Sequence, residues 1–225
     1  MKTLFFLSLT ISIYFISKWA YGKTNKIYFS PLVIAPLVII MFLILFNIPY
    51  SSYNEGSKWI TALLQPATVA LAIPLYRFYP ILKKYFVEII LSVLIGSLSA
   101  IYLAYLLGKL LKLESTLAHS IIPYSITSPI AMDVVNLIGG VPTITAVFVI
   151  MTGVLGMIIG PYYIQLFQIK SDIAKGVLLG TTAHGAGTAK ALEIGTGAGA
   201  VSSVCMILAA IISFIISPWL MSFIL

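Results

Sequence analysis

The stretches 31–48 and 145–159 are apolar on every side, with neither the two-residue alternation of a half-buried strand nor the polar stripe of a surface helix. Such a segment has no face to turn towards water. A spanning β-barrel would alternate apolar and polar residues in segments of about ten, and these runs do not. Composition carries the same message: 60% of the residues are hydrophobic, 8% are charged, and the mean hydropathy is +1.10. A soluble domain carries about 25% charged residues, so this chain cannot make a wettable exterior. In lipid the backbone satisfies its own hydrogen bonds, and helices follow. The expected fold is all-α: a polytopic transmembrane helical bundle forming a single integral membrane domain over 1–225.

The net charge of +7 is no nucleic-acid signal. Lysines and arginine stand in short groups at the ends of apolar runs, as positive-inside topology signals do. Cys205 is the one cysteine, so no intrachain disulfide forms. The first residues resemble a secretory signal peptide, with Ala20-Tyr21-Gly22 as a passable cleavage site. Lys18-Trp19 interrupts before that site, and Trp19 and Tyr21 suit an interfacial belt, which favours a retained first helix.

Apolar runs fall at 4–17, 27–48, 59–76, 85–107, 117–138, 141–167, 172–194 and 197–225. Most meet the ~20 residues that a bilayer requires. They give about four transmembrane helices in 1–107, and in 117–225 two broken segments and two further spans. Three runs are interrupted: 59–76 by Gln65-Pro66, 117–138 by Pro123 and Pro129 with Gly139-Gly140 at its end, and 172–194 by Gly180, Gly185 and Gly187. Broken backbone at membrane depth is tolerated only beside protein or a water-filled cavity, so broken or re-entrant helices are expected. The 67–72 stretch echoes 187–192, as an inverted repeat would.

Polar residues that lipid would not tolerate are Thr127, Ser128, Asp133, His184, Thr188, Lys190 and Glu193. A charge at the bilayer centre costs about 3 kcal/mol on insertion scales, so it turns inward and finds a partner. If the segment is helical, His184 and Thr188 share a face, as do Lys190 and Glu193, and Asp133 is available to meet Lys190. A carboxylate, an ammonium and an imidazole around broken helix ends suit a small anionic substrate or a proton relay. The plainer readings are an interfacial Lys190–Glu193 ion pair, a structural His184, and glycines that permit tight helix packing. Enzyme motifs are missing: there is no GxSxG, no HExxH, and no histidine with metal-ligand spacing. Ser128 and His184 could pair as an intramembrane hydrolase, but nothing marks the serine as activated. No cofactor or metal is implied.

Several motifs together resemble the LrgB/CidB family. They are Ser125-Ile126-Thr127-Ser128-Pro129-Ile130-Ala131-Met132, Gly139-Gly140-Val141-Pro142, Thr145-Ala146-Val147-Phe148-Val149-Ile150, Thr152-Gly153, Ala174-Lys175-Gly176, Ala183-His184 and Gly187-Thr188-Ala189-Lys190-Ala191. The 66–76 stretch matches the upstream signature, and the resemblance spans about 30–220. Gln65 stands where Gly is expected and Asp133 where Glu is expected. The resemblance implies a multi-pass protein of the bacterial plasma membrane, described as antiholin-like and tied to murein hydrolase control and cell lysis. It also implies an LrgA/CidA-like membrane partner and leaves homo-oligomers open. Plastid relatives carry glycolate and glycerate, and bacterial relatives are associated with pyruvate or acetate movement. Two functions follow as expectations: a carrier for small monocarboxylates, or a holin-type regulator of lysis.

Loop charges set the orientation, with Lys18, Lys23 and Lys26, and then Arg77, Lys83 and Lys84, on the cytoplasmic side and the 49–58 loop outside. On a Cys205→Ser background, Glu55→Cys should react with an impermeant thiol reagent in intact cells, and Lys83→Cys should not. The reverse pattern inverts the topology.

Overall fold

The computed structural model describes residues 2–24, 29–63, 66, 69–70 and 72–224. Among them no strand occurs. The chain divides into two compact units, Met1–Ala72 and Ile73–Leu225. The interrupted point at Gln65-Pro66 and the 67–72 echo fall largely outside the described residues.

The first unit holds α1 (Lys2–Thr24), α2 (Pro31–Leu45) and α3 (Tyr50–Ala62). Helix α1 is long and apolar enough to cross a bilayer. At its C-terminal end Lys23 Nζ lies 4.0 Å from the Trp19 ring centroid, a cation–π contact. Helix α2 has only 15 residues, short of the expected span, because Pro31 restricts where it begins and the chain leaves helical geometry at Asn47, with φ 50°. The loop expected at 49–58 is a helix instead. Its polar residues made it read as a loop, but Gly56 presses against the Thr3 carbonyl of α1, and Tyr53 meets Thr10 at 3.1 Å. Polar sequence here marks an amphipathic helix packed on α1.

The second unit begins with the short helices α4 (Ala72–Arg77) and α5 (Tyr79–Lys84). Its frame is α6 (Phe86–Leu110), α9 (Pro142–Leu166) and α11 (Thr196–Ile224), each containing a stretch able to span a bilayer. In 1–107 the described helices of spanning length are therefore α1 and α6, fewer than the four expected. Between the frame helices lie α7 (Ser115–Ile121) with α8 (Ser128–Ile138), and then α10 (Asp172–Ile194). Neither of these two insertions crosses the unit. Both reverse.

The first reversal is spread over 122–127, which is non-helical. Pro123 removes a backbone donor, and the helix stops there although its predecessor Ile122 keeps helical angles, φ −56° and ψ −51°. The chain runs inward along α9, with Ser120 at Thr145 and Tyr124 at Thr152. It then returns through α8, so that Gly139 and Gly140 end beside His119 and Ser120. Gly139 caps α8 at φ 78°, a left-handed conformation that glycine adopts at no steric cost. Pro129 does not break anything: it occupies the first turn of α8, where a missing N–H is harmless.

The second reversal is one residue. Helix α10 runs continuously except at His184, whose φ 37° and ψ −120° are not helical. A straight helix of this length would hold its ends roughly 35 Å apart. Instead the Asp172 carboxylate lies within van der Waals reach of a Cβ built at Gly195 or Gly197, and a Cβ at Gly187 would run into the Leu179 carbonyl oxygen. The arms 172–183 and 185–194 therefore lie antiparallel, as a re-entrant hairpin. This resolves the 172–194 run, whose low content of bulky apolar residues leaves the arms free to approach one another.

The hairpins enter from opposite ends. Tyr85, just before α6, and Glu88 and Ser92 of α6 share a cavity with Ile169, Ser171 and Ile173, which puts the start of α6, the end of α9 and the base of the second hairpin at one end, here the near end. The first hairpin springs from the far end, where α6 finishes. Helix-plus-hairpin thus occurs twice in opposite senses, α6 with the first hairpin and α9 with the second. That is an inverted arrangement, placed elsewhere than the 67–72 echo suggested. Packing relies on small residues, as helix association in lipid does. Gly176 meets the Ala198 carbonyl, Gly180 meets Ser202, and Gly156 and Gly160 of α9 receive Ala183 and Leu179.

Gly185 and Gly187 should behave differently when replaced. A Cβ at Gly185 meets nothing within 4 Å, so Gly185→Ala should leave thermal stability in detergent unchanged or raise it by up to ~1 kcal/mol. Gly187→Ala should lower it by about 1–3 kcal/mol through overpacking. Equal melting temperatures for the two variants would contradict the hairpin.

Candidate functional site

The two hairpin tips meet. Tyr124 and Ser125 from the first and Thr181 and Thr182 from the second line one cleft of about 230 Å³ together with Gly96, Ala100, Thr152 and Leu155, and it is open where Leu155 is 50% exposed. It lies near half-height of α6 and α9, at the depth where a bilayer is driest. An apolar cavity of about 150 Å³ can hold benzene, so this one has room for a solute of a few heavy atoms. Its lining is mostly apolar, with hydroxyl-bearing residues among it and no formal charge.

Each tip is held by a different device. The Thr152 hydroxyl donates to the Tyr124 carbonyl at 2.9 Å, which satisfies a backbone acceptor released by the break. Below it the Val141 N–H donates to Ser120 Oγ at 2.7 Å, and Thr145 Oγ1 donates to the Ser120 carbonyl at 2.7 Å. The second tip is held by packing and by a hydrogen bond between the His184 ring and the Val149 backbone. The His184 ring lies over Gly153, where a Cβ would be 2.6 Å from Cε1, and Ala183 fills the notch at Gly156.

Two buried groups at this tip have no hydrogen-bond partner: His184 Nε2 and Thr181 Oγ1. Both residues are only 6% exposed. A buried unsatisfied polar atom costs about 1–3 kcal/mol. Non-glycine residues in sparsely populated backbone regions cost about as much and cluster at functional sites. The chain puts an imidazole at the strained position although glycine stands next to it at Gly185. Strain and unsatisfied polarity therefore converge on one tip.

The residues singled out from sequence are dispersed by this geometry. Thr127 caps α8 with no side-chain hydrogen bond, and Ser128 follows it. Asp133 is exposed on α8 and does not reach Lys190, whose ammonium pairs with Glu193 at 2.7 Å. The reversal at His184 carries that pair back towards the near end, with the Glu193 side chain 50% exposed. The interfacial ion pair is thus the reading that fits, and Lys190 does not line the cavity. His184 and Thr188 do not share a face, because the break between them turns Thr188 to Ser202 of α11 at 3.0 Å, whereas His184 faces α9. Ser125 and Thr152 stand in the family-like motifs, but neither they nor Thr181 and Thr182 stand out as site candidates, because hydroxyls inside apolar runs give a weaker signal than charges. Among the described residues no group of His, Cys, Asp or Glu could hold a metal ion.

Over residues 10–223 the sequence matches the LrgB-like family. It is 52% identical over 217 residues to YwbG of Bacillus subtilis (strain 168), covering 96% of each chain. It is 36% identical over 210 residues to YxaC of the same organism, covering 93% of this chain and 91% of that one. A protein of Bacillus mycoides (strain KBAB4) named antiholin-like protein LrgB is 35% identical over 196 residues, 87% of this chain and 85% of its own. No solved structure matches.

Thr181→Val keeps the shape of the tip and deletes a hydroxyl without a partner. It should raise thermal stability by about 1 kcal/mol while lowering any activity that depends on the cavity. A loss of stability would mean that the hydroxyl is already satisfied in the folded protein.

Proposed function

The chain belongs to the LrgB-like family, and from that premise we propose that this multi-pass membrane protein is a carrier, not an enzyme. Its cargo is a small monocarboxylate of the pyruvate, acetate and glycolate class, and its place is the bacterial plasma membrane. One observation carries this reading: two re-entrant hairpins from opposite ends meet at a small, uncharged cavity at half-height. Carriers place substrate sites at the midplane between inverted repeats, at interrupted helices, so that either half can move over a fixed site. Ser125 and Thr181 bring hydroxyls for a carboxylate, whereas those of Thr152 and Thr182 already donate to the Tyr124 and Leu178 carbonyls, and the tip imidazole stands one residue beyond the Thr152 contact. The cavity's size excludes large cargo. The far and near ends open in turn while the hairpins alternate.

A second reading has its own support, since relatives at 34–35% identity are named antiholin-like protein LrgB. In that reading the chain acts with an LrgA/CidA-like membrane partner on murein hydrolase activity and lysis, and its effect is regulatory. Defined broken helices around a midplane cavity favour the carrier, because a lesion-forming assembly needs no such cavity.

The test is uptake of labelled pyruvate, acetate, lactate and glycolate into liposomes holding this protein alone. Saturable uptake, competed by unlabelled monocarboxylates and excluding sugars, is expected. Thr152→Val should reduce it. Passage of solutes without size limit would sink the carrier, and no uptake unless the partner is added would move the function to the assembly.

A further inference from the structure

Helix α6 presents Glu88, Ser92, Gly96 and Ala100 at every fourth position, so they form one row. The inward arm of the second hairpin presents Ala174, Leu178 and then Thr181 and Thr182 at three- and four-residue steps. The two rows face each other. Their lower parts, with Ser171, line a cavity of about 410 Å³ at the near end. Their upper parts line the tip cavity. Between the two spaces the rows touch, and a Cβ at Gly96 would lie 2.8 Å from Thr181 Cγ2.

A seam of small residues is also what tight helix packing looks like. Packing alone does not leave a space on each side of the contact. Nor does it leave Thr181, 6% exposed, with a hydroxyl that has no partner in a residue that lines the upper space. The geometry points to a solute path along this seam, running from the near end through the 410 Å³ vestibule to the tip cavity, with the contact between Gly96 and Thr181 as its closure. The closure is one methyl group against bare backbone. It is therefore the size-determining point of the path, and Gly96 and Thr181 are the residues that set what passes. Glu88 is the charged side chain in the vestibule wall, and Lys84 and Lys170 adjoin its wall residues Tyr85 and Ile169 in sequence. For its cargo, a small monocarboxylate, this inference rests on the carrier reading. For the existence of the path it does not.

Thiol accessibility in oriented vesicles tests it without any substrate. On a Cys205→Ser background, Ser92→Cys reports the vestibule and Ala100→Cys the space above the closure. A small charged methanethiosulfonate reagent applied at the near end should modify Ser92→Cys rapidly and Ala100→Cys more slowly. Thr181→Ser removes the closing methyl and keeps the hydroxyl. It should speed the Ala100→Cys reaction by about fourfold, the factor that one buried methyl group sets, and leave Ser92→Cys unchanged. Gly96→Ala should slow Ala100→Cys further, and because Thr181→Ser only deletes a methyl, a folding defect of Gly96→Ala does not remove the test. Ala100→Cys reached only from the far end, or indifferent to Thr181→Ser, would overturn the path even where uptake is intact. The expected labelling pattern without carboxylate uptake would support the path and sink the carrier.

Discussion

Everything in the second unit depends on where the backbone hydrogen bonds go when a helix reverses at membrane depth. An unsatisfied amide or carbonyl in hydrocarbon costs several kcal/mol, more than most packing contacts return. The first reversal frees several groups over 122–127, and hydroxyls placed on the neighbouring helix meet them, most directly Thr152 at the Tyr124 carbonyl. The second limits the damage by using a single non-helical residue, His184. One solution needs polar side chains in apolar helices. The other needs residues small enough for two arms to close on each other. The scattered Ser, Thr and Gly of the core follow from these two needs.

Apolar area does little to hold such a bundle together, because lipid is as apolar as leucine. Large side chains such as Ile95, Tyr102, Ile150 and Phe214 accordingly stay on the outside. Cohesion comes from close approach, with Gly176 and Gly180 against α11 and Gly153, Gly156 and Gly160 against the second hairpin. The same glycines that let the hairpin seat itself also leave little side chain to fill the middle, which is how a cavity persists where α6, α9 and the two tips converge.

Much of this architecture was legible in the sequence. The frame helices follow from unbroken apolar runs, and the run 117–138 announces its break through Pro123 and its end through Gly139-Gly140. The run 172–194 was legible as interrupted but not as reversed, because glycine density marks weakness and not direction; the turn itself sits on a histidine. The site was less legible than the fold. Charge drew attention to Asp133, Lys190 and Glu193, yet charged residues in a membrane protein gather where water can reach them, as Lys190 and Glu193 do near the base of their hairpin. The cavity is lined by small and hydroxyl-bearing residues, whose cost in lipid is small enough that sequence alone does not separate a hydroxyl left free, such as Thr181, from one bonded to its own helix, such as Thr182 with the Leu178 carbonyl.

Helix α9 touches both tips with adjacent residues, Thr152 on the first hairpin and Gly153 beneath His184 on the second. Neighbouring residues on a helix point about 100° apart, so the two contacts share one shaft and cannot be adjusted separately. Turning α9 enough to loosen the imidazole from Gly153 also swings the Thr152 hydroxyl away from Tyr124. The two hairpins are thereby geared to each other through a rigid body that belongs to neither.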